Sequence, residues 1–206
     1  MSVGGDSTEK ARAELAAEMI ISDERDKVAE FFAREEMDPP TFVWNPDPET
    51  FPHPLMKHFL ATWQQMPHAP DRPIPLAKDF DVFAFRSAIG HMMYLDVIDG
   101  GRDFRYRVYG SRIAQFSGFD LTGKNLGKSD APSISRDFML ACYKALVRRQ
   151  EPLFTQHKSP RDFLVATWSR ILVPLVDESG ATTRLLGVNI PSGKEPLNTG
   201  VRSVFT

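Results

Sequence analysis

Residues 91–125 read HMMYLDVIDGGRDFRYRVYGSRIAQFSGFDLTGKN. Two strand-forming runs, 92–98 and 104–109, flank Asp99-Gly100-Gly101-Arg102-Asp103. That pentapeptide is turn chemistry, because glycine takes positive φ at no steric cost. Gly110 breaks the second run. Ser111 is placed to cap a short helix carrying Ile113, Ala114 and Phe116, which Gly118 stops. A second turn follows at 120–124. The stretch is therefore strand, tight turn, strand, short helix, turn.

Downstream, 136–149 (RDFMLACYKALVRR) has helical spacing, with Phe138, Ala141, Cys142, Ala145 and Leu146 along one face. Arg148 and Arg149 stand at its end, where the helix dipole favours cations. Residues 152–156 form a short strand that starts at a sheet edge, since Pro152 cannot donate to a ladder. The longest strand expected is 164–176, LVATWSRILVPLV. Asp177-Glu178-Ser179-Gly180 turns the chain into a last strand over 182–190, and a polar tail follows from Pro191. A hairpin, a long helix and three consecutive strands make one antiparallel sheet with helices on a face, an α+β domain.

Upstream, Ser7 or Thr8 caps a helix carrying Leu15, Ala16, Met19 and Ile20, and Ser22 opens a second with Val28, Phe31 and Phe32. Asp38-Pro39-Pro40 ends it. Neither helix buries enough to stand alone. A dimer contact and docking onto the same chain both answer that need. Prolines 39, 40, 46, 48, 52 and 54 make 39–54 an extended linker and the domain boundary. Pro54 opens a helix with the apolar stripe Leu55, Met56, Phe59, Leu60, Trp63. Pro67, Pro70, Pro73 and Pro75 mark a second crossing. Lys78 or Asp79 then starts a short helix with Phe80, Phe83, Ala84 and Ala88 on one side.

Several of these features together resemble a PAS sensor domain: Trp63, the crossing from Pro67 to Pro75, Phe104-Arg105-Tyr106-Arg107…Gly110, GFDLTGKNL at 118–126, and Pro174-Leu175. More narrowly they resemble a bacterial subfamily of stand-alone PAS-like proteins, over roughly 55–190. The resemblance implies a five-stranded antiparallel sheet with helices cupped over one face. Together with the charge, proline and polarity readings, it divides the chain into an acidic helical extension (1–38), a Pro-rich linker (39–54), the PAS-like domain with its flanking helices (55–190) and a mobile tail (191–206). It further implies a non-enzymatic sensory domain that takes a small-molecule ligand or a signalling protein as partner, as a homodimer. Arg107 and Arg170 are recurrent positions in that likeness. The ligand-binding candidates are Tyr106, Arg107, Trp168 and Arg170. An arginine turned into the cup would offer a carboxylate or phosphate a fixed planar donor fork. Buried, it must be paired. An internal acidic partner is the preferred reading of Arg107; for Arg170 both readings stay open.

Composition bounds the rest. Hydrophobic residues make up 42%, including 15 Phe and 3 Trp, enough for a core with bulky anchors. One cysteine excludes an internal disulfide and fits a reducing compartment. Neither a secretory signal nor an apolar run of about 18 residues is visible, so a cytoplasmic protein without a membrane span is expected. Net charge is −2, but 1–50 carry 13 acidic and 5 basic residues against 14 and 20 in the remainder. Two solvated surfaces are the preferred reading of that asymmetry; an arm folded over a basic body, or meeting a basic partner, is the sharper one. Under the folded-arm reading, removing 1 to about 38 changes oligomeric state or stability in a salt-dependent way.

No phosphate loop, dinucleotide fingerprint or GxSxG elbow is present. His53 and His58 are five apart, off the spacing that places two metal ligands on one helical face. His157 sits in an expected loop, too isolated for a haem ligand. Cys142 lies in LACYK on the later helix, without the Asn-Cys-Arg motif of flavin photosensors, and reads as a buried small hydrophobe. No metal, cofactor or nucleic-acid partner is expected. A ligand-free dimerisation scaffold is the alternative function, and a haem or flavin sensor or an enzyme the third. A cavity of about 300 Å³ with a few polar groups between sheet and helices favours a ligand, and a filled dry core the scaffold.

Overall fold

A computed structural model of the chain describes residues 4–33, 38–68, 73–129, 133–158 and 167–192. In chain order its elements are α1 (Gly4–Ile21), α2 (Arg25–Phe31), β1 (Thr41–Trp44), α3 (Pro54–Gln64), β2 (Met92–Ile98), β3 (Asp103–Tyr109), α4 (Ser111–Ser117), α5 (Ser133–Arg149), β4 (Leu153–Lys158), β5 (Thr167–Val176) and β6 (Thr182–Ser192). A 3-10 segment, Val82–His91, leads into β2. The hairpin turn uses its residues as expected, with Asp99, Gly100 and Gly101 at φ 48°, 66° and 96°. Gly118 ends α4 at φ 79°. The N-cap of α4 is Gly110, one residue before the Ser111 expected there, and no side chain caps it.

The strands form one antiparallel sheet in the order β1-β4-β5-β6-β2-β3. The α+β, PAS-like class expected is the class found, with the opening hairpin beside the closing strands. Two particulars differ. The sheet has six strands, because Thr-Phe-Val-Trp inside the expected linker pairs with β4. Its β-branched and aromatic residues alternate in burial, and prolines on both sides disguise it as linker. β4 is consequently an interior strand, and Pro152 stands just before it, accepting from the Asn45 N–H at 2.8 Å through its carbonyl.

The helices also cover both faces rather than one. Trp168 and Leu172 of β5 join α1, α2, α4 and α5 in one core, while Ile171, Val173 and Leu175 join α3 and the 3-10 segment in another. β5 is buried along almost its whole length, which is the pattern of a strand covered on both sides. Trp63 of α3 anchors the second layer, its indole N–H donating to the Pro174 carbonyl at 3.0 Å. His53 caps α3 by accepting from the Leu55 N–H, and Pro54 takes the first turn as expected. In the 3-10 segment Phe85 and Ala88 are the buried residues, and Phe83 points to solvent.

α5 is buried around most of its circumference, with Phe138, Met139, Leu140, Ala141, Cys142, Tyr143, Ala145 and Leu146 all shielded. It lies between the sheet and α1. Ala13, Ala16, Ala17 and Ile20 of α1 are fully buried, whereas Leu15, expected on the stripe, is exposed. The acidic arm thus folds onto its own chain: Glu14 meets Lys144 at 3.2 Å and also pairs with Arg148, which reaches Glu18 at 2.6 Å. The tail from 193, and the part of the expected β5 strand before 167, lie outside the described residues.

Candidate functional site

Alternation along β4, β5 and β6 sets Leu153, Trp168, Leu172 and Leu185 toward α5. The same alternation sends three polar side chains that way. Thr155, Arg170 and Asn189 are neighbours in register across the three strands and are 0%, 1% and 4% exposed. At ordinary strand spacing the row is about 10 Å wide. His157 follows Thr155 on the same face, opposite Trp168. Its side chain is only partly buried, but its Nδ1 is fully shielded.

Aromatic groups complete the surround. The hydroxyls of Tyr106 (β3) and Tyr143 (α5) are hydrogen-bonded at 2.8 Å, both rings fully buried. Tyr109 packs edge-on against Tyr106, and Phe138 of α5 stands 5.8 Å from the His157 ring. In the tyrosine pair one hydroxyl spends its hydrogen on the other, whose own hydrogen stays available. The nearest acceptors for it are thioethers, Met139 Sδ at 3.9 Å from Tyr106 and Met93 Sδ at 3.8 Å from Tyr143, which are weak.

Among the described residues, Thr155 Oγ1, His157 Nδ1, Arg170 Nε and Nη1, and Asn189 Oδ1 are buried with no hydrogen-bond partner. Nearly all buried polar atoms in folded proteins are paired, with protein, ordered water or a bound group, so five on one face make it the candidate site. Arg170 dominates the electrostatics. Burial raises the Tyr106 and Tyr143 hydroxyls and takes Tyr109 and the Cys142 thiol to about 12, with the Arg170 charge opposing each rise. All four groups are therefore neutral at pH 7. His157 is pushed well down, first by burial and then by Arg170, and is neutral as well. Among the described residues no ion pair includes Arg170. A shallow open depression of about 20 Å³, room for little more than a water molecule, is lined by Phe32, Asp38, Pro40, Ser135, Phe138, His157 and Lys158 and meets this face at the His157 end.

Of the four residues chosen from sequence, Tyr106, Trp168 and Arg170 come together here. Arg107 does not. It is exposed on the other side of β3, where its Nε donates to Asp96 Oδ1 at 2.6 Å, and Arg184 Nε lies 2.9 Å from the same oxygen. Asp96 is an acidic partner from the same chain, but the pair stands on an exposed face and not in the cup, where an internal partner was preferred from sequence. The alternation places Phe104 and Tyr106 inward and leaves Arg105 and Arg107 outside. Thr155, His157, Asn189 and Tyr143 were missed. For the three strand residues the signal was a polar residue in phase with inward apolar ones, Thr155 and His157 with Leu153 in LFTQH and Asn189 with Leu185 in LLGVNI; Tyr143, on α5, had no such signal. His157, expected in a loop, lies on β4. Among the described residues no cluster of ligands for a metal ion is found, and no helix is long and apolar enough to cross a membrane.

A family model described as PAS domain matches residues 51–190. No curated protein matches the chain. Among solved structures, an RNA-binding light-oxygen-voltage receptor is similar at 14% identity and a TM-score of 0.42, over 74% of this chain. The chain spans 38% of that receptor's length. A variant of Vivid is similar at 11% identity and a TM-score of 0.35, over 73% of this chain and 98% of its own.

Proposed function

The chain belongs to the PAS domain family, and from that premise we propose that it is a non-enzymatic cytoplasmic sensory domain whose ligand lies between α5 and β4–β5–β6. The observation that carries this reading is Arg170, 1% exposed and without a partner for Nε or Nη1 among the described residues. Arginine does not deprotonate in proteins, and leaving a buried charge unpaired costs about 3–5 kcal/mol. A ligand recovers that cost on binding, which makes the site responsive to it.

Tyr106, Trp168 and Arg170 stand as ligand-contacting residues, with Thr155, His157, Asn189 and Tyr143 added. Arg107 is assigned to the Asp96 clamp instead. The signal leaves through α5, which carries Tyr143 at the site and Lys144 and Arg148 against α1. The test is a thermal-shift screen of charged and neutral metabolites, followed by hydrogen exchange on any hit. A hit is expected to raise Tm and slow exchange in β5 and α5 together. A screen without hits, joined to a failure to find any cellular protein partner, removes the reading.

A further inference from the structure

The five unpartnered atoms also describe what should occupy the site. Arg170 offers donors through Nε and Nη1, and Thr155 offers a hydroxyl. Asn189 Oδ1 requires a donor in return. A ligand that satisfies this face therefore brings an acceptor group for the guanidinium and a hydrogen of its own for the amide oxygen. Its charge is set by the balance around the row. Arg170 contributes one positive charge, and Tyr106, Tyr109, Cys142, Tyr143 and His157 contribute none at pH 7. One fixed cation in a low-dielectric setting matches one negative charge, and a phosphate dianion would leave a charge uncompensated. A carboxylate presents two coplanar oxygens to the planar fork. Beyond the row, Trp168, Leu172, Phe138 and Tyr106 offer apolar surface to the remainder of the molecule.

We propose that Arg170, with Thr155 and Asn189 beside it, binds a small hydroxylated monocarboxylate. The carboxylate lies on the guanidinium and the hydroxyl donates to Asn189 Oδ1. Access is from the side of the shallow depression that Phe138 and His157 line, His157 being the next inward residue after Thr155 on β4. This inference rests on the sensory reading above and narrows it to a chemical class.

The experiment is titration of the full chain, in a carboxylate-free and phosphate-free buffer, with lactate, 4-hydroxybenzoate, their hydroxyl-free counterparts propionate and benzoate, and inorganic phosphate. Wild type is compared with Arg170→Met and Arg170→Lys by thermal shift and calorimetry. At least one hydroxylated acid is expected to raise the wild-type Tm dose-dependently. Its Kd weakens by at least about tenfold in R170M, the loss of one charge-assisted hydrogen bond, and by less in R170K, which keeps the charge but not the fork. Without ligand, R170M is expected to have a Tm at or above that of wild type, because an unpaired charge has been removed. That readout also shows the variant is folded. The proposal is overturned by any of four results: no acid shifts the wild-type Tm; the acids bind R170M as tightly as wild type; phosphate binds more tightly than the acids; or the hydroxyl-free acids bind as well as the hydroxylated ones. Binding of an uncharged metabolite to wild type and R170M alike would also overturn it, while leaving the sensory reading in place.

Discussion

Folding takes the His157 ring nitrogen out of water and sets it near a fixed cation, and both effects oppose protonation. In the unfolded chain the imidazole titrates near its ordinary value of about 6.5. In the folded protein it titrates well below that. Between the two values the unfolded state holds a proton that the folded state does not. Stability is therefore fully present above about pH 6.5 and falls as pH drops through that point toward the folded value. His157→Phe abolishes this contribution. Urea midpoints at pH 5 and pH 7.5 test it: the wild type should lose more than the variant on acidification, and equal losses would assign the slope to other groups. Arg107 and Arg170 have the same side chain on strands of the same sheet. Only the inward or outward phase of each strand separates the clamp from the site, and a one-residue difference in phase reverses the assignment. FRYRVY shows its phase openly through Phe104 and Tyr106. TWSRILVPLV, apolar toward both cores, conceals it.

At the scale of elements, the junction between β3 and α4 tolerates no side chain. Gly110 has φ −51°, a conformation open to any residue, so its constraint is space. A Cβ there would lie 2.4 Å from the Gly90 carbonyl oxygen, while the Gly110 N–H donates to the Met92 carbonyl at 2.8 Å. Gly110→Ala must push α4 away from the 3-10 segment, and overpacking of this kind costs about 1–3 kcal/mol. Equilibrium urea unfolding should show that loss, and an unchanged midpoint would mean the two backbones separate freely. Gly110 was legible in sequence as a strand breaker, but the backbone it touches was not. The same distinction holds elsewhere. The hairpin, α3 and α5 announce themselves through spacing and turn residues within a single segment. β1 is four residues among prolines, and only its pairing with β4 makes it a strand. The full burial of α5 likewise depends on α1, more than a hundred residues earlier in the chain, and no local pattern contains it.

For the whole molecule, the charge asymmetry of the sequence becomes a contact. The acidic arm closes over α5 through two kinds of interaction that respond differently to salt. Glu14 and Glu18 pair with Arg148 near the surface, and Glu14 also with the buried Lys144; the exposed pairs contribute about 0.2–1 kcal/mol each and are screened. Beneath them Ala13, Ala16, Ala17 and Ile20 are fully buried, and the Trp44 indole N–H donates to the Ile20 carbonyl at 2.9 Å. Arg149 joins the two kinds, its guanidinium donating to the Ile21 carbonyl at 2.9 Å and lying 4.6 Å from the Trp44 ring centre. The apolar layer dominates, since truncating one buried isoleucine costs about 2–5 kcal/mol. Two variants separate the contributions. Glu14→Gln with Glu18→Gln should lower stability by about 1 kcal/mol at 50 mM NaCl and by much less at 1 M. Ile20→Ala should lower it by the larger amount at both concentrations. Denaturant midpoints of the three proteins at the two salt concentrations decide the matter. If the glutamate variant loses as much at 1 M as at 50 mM, the arm is not held by charge. If Ile20→Ala loses nothing, the arm does not rest on α5 in solution, and its apolar face is free to meet a second copy of the chain.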